Sequence, residues 1–203
     1  MKLYYSPGAC SLADHIALEW IGKPYEVQRV EREERAADWF RQLNPAGAVP
    51  VFEHEGWVLT QNTAILGYLA DTHPEARLWG DGTPRGRAEV MRWLGFVNSD
   101  VHPAFKPMFG ATAYLGDEAS IEKSKDNARA QLRTLFARAD AQLDGREWIA
   151  GPRSVADPYL YVVTRWTGQA GVDVGGLDHL AVFRKRMEAD PAVRKVLEVQ
   201  GLD

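Results

Sequence analysis

The residues of this chain best suited to chemistry are a lone cysteine and the backbone groups around one proline. Cys10 lies in Ser6-Pro7-Gly8-Ala9-Cys10-Ser11-Leu12, after the strand-like Lys2-Leu3-Tyr4-Tyr5 and before the apolar positions Ile16, Ala17 and Trp20. Pro7 and Gly8 break the strand, which places Cys10 in the first turn of a helix. Free N–H groups and the positive end of the helix dipole stabilise a thiolate there, so the thiol is predicted to ionise below the range of a free cysteine. Two readings of this segment stand side by side. One is a reactive or ligand-facing thiol; the other is a buried small hydrophobe.

Ala48-Val49-Pro50-Val51 is the second informative stretch. Proline cannot donate to a sheet ladder and belongs at the beginning or edge of a strand. Paired with a cysteine at the first helix N-terminus, it matches the arrangement of thioredoxin-like folds, in which a cis X–Pro bond holds the preceding residue's N–H and C=O beside the thiol. A peptide-like ligand could then pair with Val49 as an added strand. The plainer reading is an ordinary strand-starting proline. A thioredoxin-type disulfide needs a second cysteine three residues after Cys10, and that position is Ala13. Disulfide chemistry at this site therefore calls for an external thiol, which points to a small-molecule thiol partner. Thr60-Gln61-Asn62-Thr63 opens a later helix, where the first N–H groups can hold an anion or be capped by Thr60 or Asn62; both can hold at once. His15, His54, His73 and His179 are scattered without metal-ligand spacing, and no metal is expected.

The elements that must position these residues fall into two groups. Lys2–Tyr5, Tyr25–Val30, Val51–Glu53 and Trp57–Leu59 read as strands, the last two joined by a hairpin turn at Glu55-Gly56. Ser11–Ile21, Asp38–Leu43 and Gln61–Ala70 read as helices. The order βαβ, α, ββα implies a small mixed sheet flanked by helices over residues 1–72. Residues 73–84, with Gly80, Asp81, Gly82 and two prolines, read as a linker. Residues 85–203 lose the strand signal: a long helix over Arg85–Phe109 is predicted to bend near Pro103 and Pro107. Helical spacing recurs from Ala128 to Leu143, and Ser154–Trp166, Leu177–Ala189 and a segment after Pro191 complete an all-helical domain. Ser154 and Asp157 have the spacing of a capping box, a folding role rather than a catalytic one. Aromatic residues from Trp93 to Phe109 either fill the core or line an apolar pocket beside the thiol.

With 203 residues, 24 Lys and Arg against 28 Asp and Glu, and mixed charges, the chain shows no electrostatic case for nucleic acid or a membrane surface. No apolar run approaches the roughly 18 residues of a membrane span. One cysteine and no evident signal peptide fit a cytoplasmic protein.

With these pieces in order, the chain closely resembles bacterial glutathione S-transferases of the beta class. The likeness is carried by Ser6 to Leu18, by Asn44-Pro45-Ala46-Gly47-Ala48-Val49-Pro50, and by Thr60 to Ile65. Ser99-Asp100-Val101-His102 with Phe105, and Gly151 to Leu160, continue it in sequence. The resemblance implies a thioredoxin-like domain, a helical-bundle domain, glutathione as co-substrate, a small apolar electrophile and a homodimer. It implies that Cys10 lies against the glutathione sulfur, able to form a mixed disulfide, with His102 nearby. Val49 beside Pro50 would pair with the cysteinyl backbone, and Gln61 and Asn62 would hold the γ-glutamyl end. Ser99 and Asp100 belong to a stretch that completes the site, partly across a dimer interface. Departures are Gln61 for Glu, Asn62 for a smaller residue, Gly95 for Asn, and Pro103 for Lys, which removes a cationic contact. The family's lysine before the second helix has no clear counterpart; Arg35 or Arg32 stands nearest. The rival reading is a non-catalytic binding module on the same scaffold.

Overall fold

The computed structural model describes residues 1–202. Four strands form one mixed sheet: β1 (Lys2–Tyr5), β2 (Glu26–Arg29), β3 (Val51–His54) and β4 (Trp57–Thr60), in spatial order β2-β1-β3-β4. β1 runs parallel to β2, and the β1–β3 and β3–β4 pairs are antiparallel. The parallel pair requires a crossover, supplied by α1 (Ser11–Ile21). Gly22 ends α1 at φ 71°, a left-handed conformation that glycine adopts without steric cost, and its N–H returns to the Leu18 carbonyl. The hairpin turn has φ 51° at Glu55 and 77° at Gly56, the twist that a two-residue connection between antiparallel strands favours.

Strand alternation sends Leu3 and Tyr5 toward the main core and Tyr4 toward a smaller one. On the main face, α1 and α3 (Asn62–Thr72) bury Leu12, Ile16, Ile65 and Leu69 completely. The other face is closed by α2 (Asp38–Leu43) through Phe40, packed with Val30 and Val51.

Every later element is helical. α4 (Pro84–Gly95) is followed by a π-helical turn over Phe96–Val101, by the short α5 (His102–Ala104) and by a 3-10 turn over Lys106–Phe109. The bend expected at Pro103 and Pro107 therefore begins at Phe96. Widening the helix there re-aims the chain before Pro103, which has no N–H for a preceding turn. α6 (Glu118–Leu143), α7 (Ala156–Ala170), α8 (Asp178–Ala189) and α9 (Pro191–Gln200) complete the bundle. α1 of the sheet domain packs against both α7 and α9, so one hydrophobic core runs through both halves.

Ahead of α7, the Ser154 N–H donates to Asp157 Oδ2 at 2.7 Å and the Ala156 N–H to Ser154 Oγ at 3.3 Å. Asp157 also accepts the Ile149 N–H at 2.9 Å, so the capping carboxylate ties down the preceding loop as well. Among the described residues, no helix is long and apolar enough to cross a membrane.

Candidate active site

Cys10 occupies the position just before α1 rather than its first turn, with φ −57° and ψ −25°. Its thiol donates to the Val49 carbonyl at 3.6 Å. Val49 and Pro50 are joined by a cis peptide bond, and Pro50 leads directly into β3. The strand-starting proline and the thiol-facing backbone are thus one feature. The thiol's acidity differs from the sequence expectation. Burial, with a smaller contribution from the carboxyl of Asp14, pushes it up to about 12. The backbone N–H groups of Ser11 and Cys10 and the Arg35 guanidinium pull the other way without overcoming burial. A helix N-terminus favours a thiolate, but withdrawal from water opposes the charge more strongly here. Cys10 is a partly buried thiol that donates a hydrogen bond at neutral pH.

His102 reaches the same place from α5. Its Nδ1 lies 2.7 Å from the Tyr159 hydroxyl, and its ring meets Trp166 edge-on at 4.8 Å between centroids. Burial lowers it to about 4, helped by Lys106, so the imidazole is neutral near pH 7. The Tyr159 hydroxyl also donates to Asn98 Oδ1 at 3.2 Å. A phenol has one proton, so when it goes to Asn98 the imidazole donates from Nδ1 to the tyrosine oxygen.

Two cavities open on either side of Cys10, sharing Cys10, Ala48, Val49 and His102. The smaller, of about 300 Å³, is bordered by Pro50, Gln61, Asn62, Asn98 and Lys106. Gln61 precedes α3 with φ 74°, a left-handed backbone unusual outside glycine. Asn62 is buried, and its amide faces the carboxyl of Asp14. The larger cavity, of about 560 Å³, has Phe109 and Trp166 as aromatic walls and Arg35, Arg165 and Arg184 as charged ones.

The fold brings together Cys10, Val49, Pro50, Gln61, Asn62, His102 and Arg35. Arg32 is exposed and borders neither cavity, so Arg35 is the arginine of that segment at the site. Ser99 and Asp100 are exposed on the π turn and line neither cavity of the single chain. Pro103 offers no cation, but Lys106, one turn on, borders the smaller cavity together with it. Gly95 lies outside both cavities, while Asn98 of the following turn borders the smaller one. Of the aromatic stretch, Trp93, Phe96 and Phe105 are core, and Phe109, 58% exposed, stands at the larger cavity. Sequence reasoning missed Asp14, Tyr159, Arg165 and Trp166. Asp14 carried a signal, a carboxylate on the otherwise apolar face of α1, whereas the others lie far along the chain from Cys10.

Residues 1–71 match the glutathione S-transferase N-terminal domain, and residues 101–191 the C-terminal domain of the same enzymes. The chain belongs to the glutathione S-transferase family. It is 52% identical over 204 residues to glutathione S-transferase GST-4.5 of Xanthomonas campestris pv. campestris, covering all of both chains. Its fold superimposes on a glutathione S-transferase from Xylella fastidiosa with a TM-score of 0.97 at 50% identity, over 100% of this chain and 99% of that one. A sphingomonad glutathione S-transferase solved in complex with glutathione gives a TM-score of 0.88 at 36% identity over the full length of both. The transferase accordingly takes glutathione as its co-substrate. Among the described residues, no three His, Cys, Asp or Glu side chains gather as a metal ion would require.

Proposed function

We propose that this transferase is a cytoplasmic, homodimeric enzyme of the beta class. It holds glutathione in the smaller cavity and presents its sulfur at Cys10 to an electrophile in the larger one. The observation that carries this reading is the meeting of the two cavities at Cys10, Val49 and His102. Val49 offers backbone groups to the cysteinyl unit. Gln61, Asn62 and the first N–H groups of α3 face the γ-glutamyl end, and Arg35, on the larger-cavity side of the edge the two cavities share, is the counter-charge assigned to the glycyl end. The class assignment rests on the ordered run of motifs from Ser6 to Leu160.

The chemistry follows from the groups at the junction. The N–H groups of Cys10 and Ser11 are directed at the Cys10 sulfur at the start of α1, where a helix N-terminus favours negative charge. Glutathione's thiolate placed against Cys10 shares that positive end and accepts the Cys10 S–H as it turns from the Val49 carbonyl, and a neutral His102 adds a polar neighbour without competing for the proton. Holding thiolate and electrophile in adjoining cavities replaces an encounter in solution with an oriented pair. The sulfur lone pair forms the carbon–sulfur bond as the leaving group departs with its electrons.

Calorimetric titration with reduced glutathione tests the first step, with one site per chain expected. A folded, dimeric protein that takes up no glutathione at millimolar concentrations would contradict this reading. Replacing Cys10 with alanine separates the two chemistries: thiol–disulfide exchange disappears and part of the conjugating activity remains. Loss of both activities in a folded variant would make Cys10 itself the activator of glutathione.

A further inference from the structure

The larger cavity does not have the character of a purely apolar pocket. Phe109 and Trp166 meet edge-to-face at 5.4 Å between centroids, and the Trp166 indole N–H donates to the Gly8 carbonyl at 2.8 Å. That bond fixes the indole across the junction between the two domains. Around these rings stand the guanidinium groups of Arg35, Arg165 and Arg184, and among the described residues no carboxylate lines the cavity. The chain as a whole carries a net charge of −4, so three cations at one cavity run against its average.

The three arginines differ in how far they are already engaged. Arg165 donates to the Tyr161 hydroxyl at 3.0 Å and to the Leu202 carbonyl at 2.8 Å, and both of these acceptors are neutral. Arg184 bonds Glu188 at 2.8 Å through Nε, one turn along α8 in a half-buried setting, where partial screening weakens the pair. Arg35 has a buried Nε with no hydrogen-bond partner among the described residues. All three arginines border the larger cavity and not the smaller; Arg35, the one with an unpartnered buried donor, is given to glutathione's glycyl end where the cavities meet, which leaves Arg165 and Arg184 for a second ligand.

We infer that the electrophile is a planar aromatic compound bearing an anionic group, its ring against Phe109 and Trp166 and its carboxylate or sulfonate held by Arg165 and Arg184. This inference rests on the reading of the larger cavity as the electrophile site. Arginine suits the task because its planar donor fork matches a carboxylate, and an aromatic floor orients the ring. The arginines contribute to capture and orientation, and the reacting atoms remain the glutathione sulfur and the ring carbon. In the substitution, the thiolate forms the carbon–sulfur bond and halide leaves with the bonding pair.

The test compares 4-chloro-3,5-dinitrobenzoate with neutral 1-chloro-2,4-dinitrobenzene at saturating glutathione, each rate divided by its uncatalysed rate. A normalised kcat/KM about tenfold higher for the anion is expected, and the preference should shrink as salt rises. Arg184→Gln and Arg165→Gln should each cut the ratio of anionic to neutral turnover about fivefold. A wild-type ratio at or below one, or a ratio that neither variant changes, overturns the inference while neutral turnover still upholds the transferase reading. A binding arm works without turnover: calorimetry of unreactive 3,5-dinitrobenzoate against 1,3-dinitrobenzene, with S-methylglutathione present. Tighter binding of the anion that is lost in Arg184→Gln supports the pocket. Equal binding of the two compounds refutes it, whatever the turnover assay shows. Because Arg165 also holds the C-terminal backbone, the Arg184 variant carries the test if Arg165→Gln fails to fold.

Discussion

The amide of Asn62 lies against the carboxyl of Asp14, with its nitrogen turned toward that group and 2.5 and 3.0 Å from the two oxygens. Asp14 is fully buried on α1 and Asn62 is 4% exposed at the start of α3, so this pair joins the helix behind the thiol to the turn behind the smaller cavity. Burial raises the Asp14 carboxyl well above the usual range.

An unpaired amide in that position costs stability, because a buried donor gives up its bond to water without replacement. Asp14→Leu is expected to lose about 2 kcal/mol of folding stability. It should also raise the KM for glutathione several-fold, since Asn62 is no longer held. Asp14→Asn, which keeps an acceptor, should restore most of both. Chemical denaturation and glutathione titration of the two variants check this; equal behaviour of Leu and Asn at position 14 would show that the pair does not position Asn62.

With a single cysteine in the chain, the acidity of Cys10 can be read directly from its alkylation rate. Its thiol is pushed up to about 12, so the thiolate fraction grows about tenfold for each pH unit far below that value. Iodoacetamide labelling followed by mass spectrometry should rise log-linearly from pH 6 to pH 9 with no levelling. A plateau near pH 7 would indicate an activated thiolate, the outcome that the helix N-terminus alone suggests.

His15 is buried beside Gln200, whose amide lies 3.0 Å from its Nδ1, and burial lowers it to about 4. An unfolded histidine titrates near 6.5, so between these values the unfolded chain binds a proton that the folded chain refuses. Stability from this group is therefore intact above pH 6.5 and falls as pH drops toward 4, by about 2 kcal/mol between pH 6.5 and 4.5. His15→Gln should flatten that part of the stability profile. The comparison is of slopes, so a constant packing loss in the variant does not obscure it. An unchanged slope would assign the acid sensitivity to other groups.

Asp157 accepts two backbone N–H groups and the Ser154 hydroxyl in a fully buried setting. Asp157→Ala strands the Ile149 and Ser154 donors, and a loss of about 3 kcal/mol is expected from two unsatisfied buried groups. Asp157→Asn keeps one acceptor and should lose roughly half as much. Denaturant midpoints at unchanged m-value are the measurement. A near-neutral Asp157→Ala would show that the loop finds other partners.

Much of the frame is legible in the chain because local physics writes it there. Gly22 stops α1, Glu55-Gly56 turns the hairpin, and Asp157 reaches back to the Ser154 N–H. The site's first-domain half is legible for the same reason: Cys10 and Val49-Pro50 sit at element boundaries that their own neighbours define. The start of the bend at Phe96 was not legible, because a π turn depends on how the helix packs rather than on a residue that breaks it.

The sequence alone determined the order of elements, the thiol at the head of α1, the proline opposite it and the family to which the motifs belong. Only the tertiary structure decided the acidity of Cys10, since burial acts through every atom around it and outweighs the local dipole. It also decided which residues from α5, α7 and α8 line the cavities that meet at the thiol. Tyr159, Arg165 and Trp166 lie more than a hundred residues from Cys10, and no periodicity links them to it. Packing of α7 against α1 brings them there, and with them the charge and aromatic faces that set what the larger cavity binds.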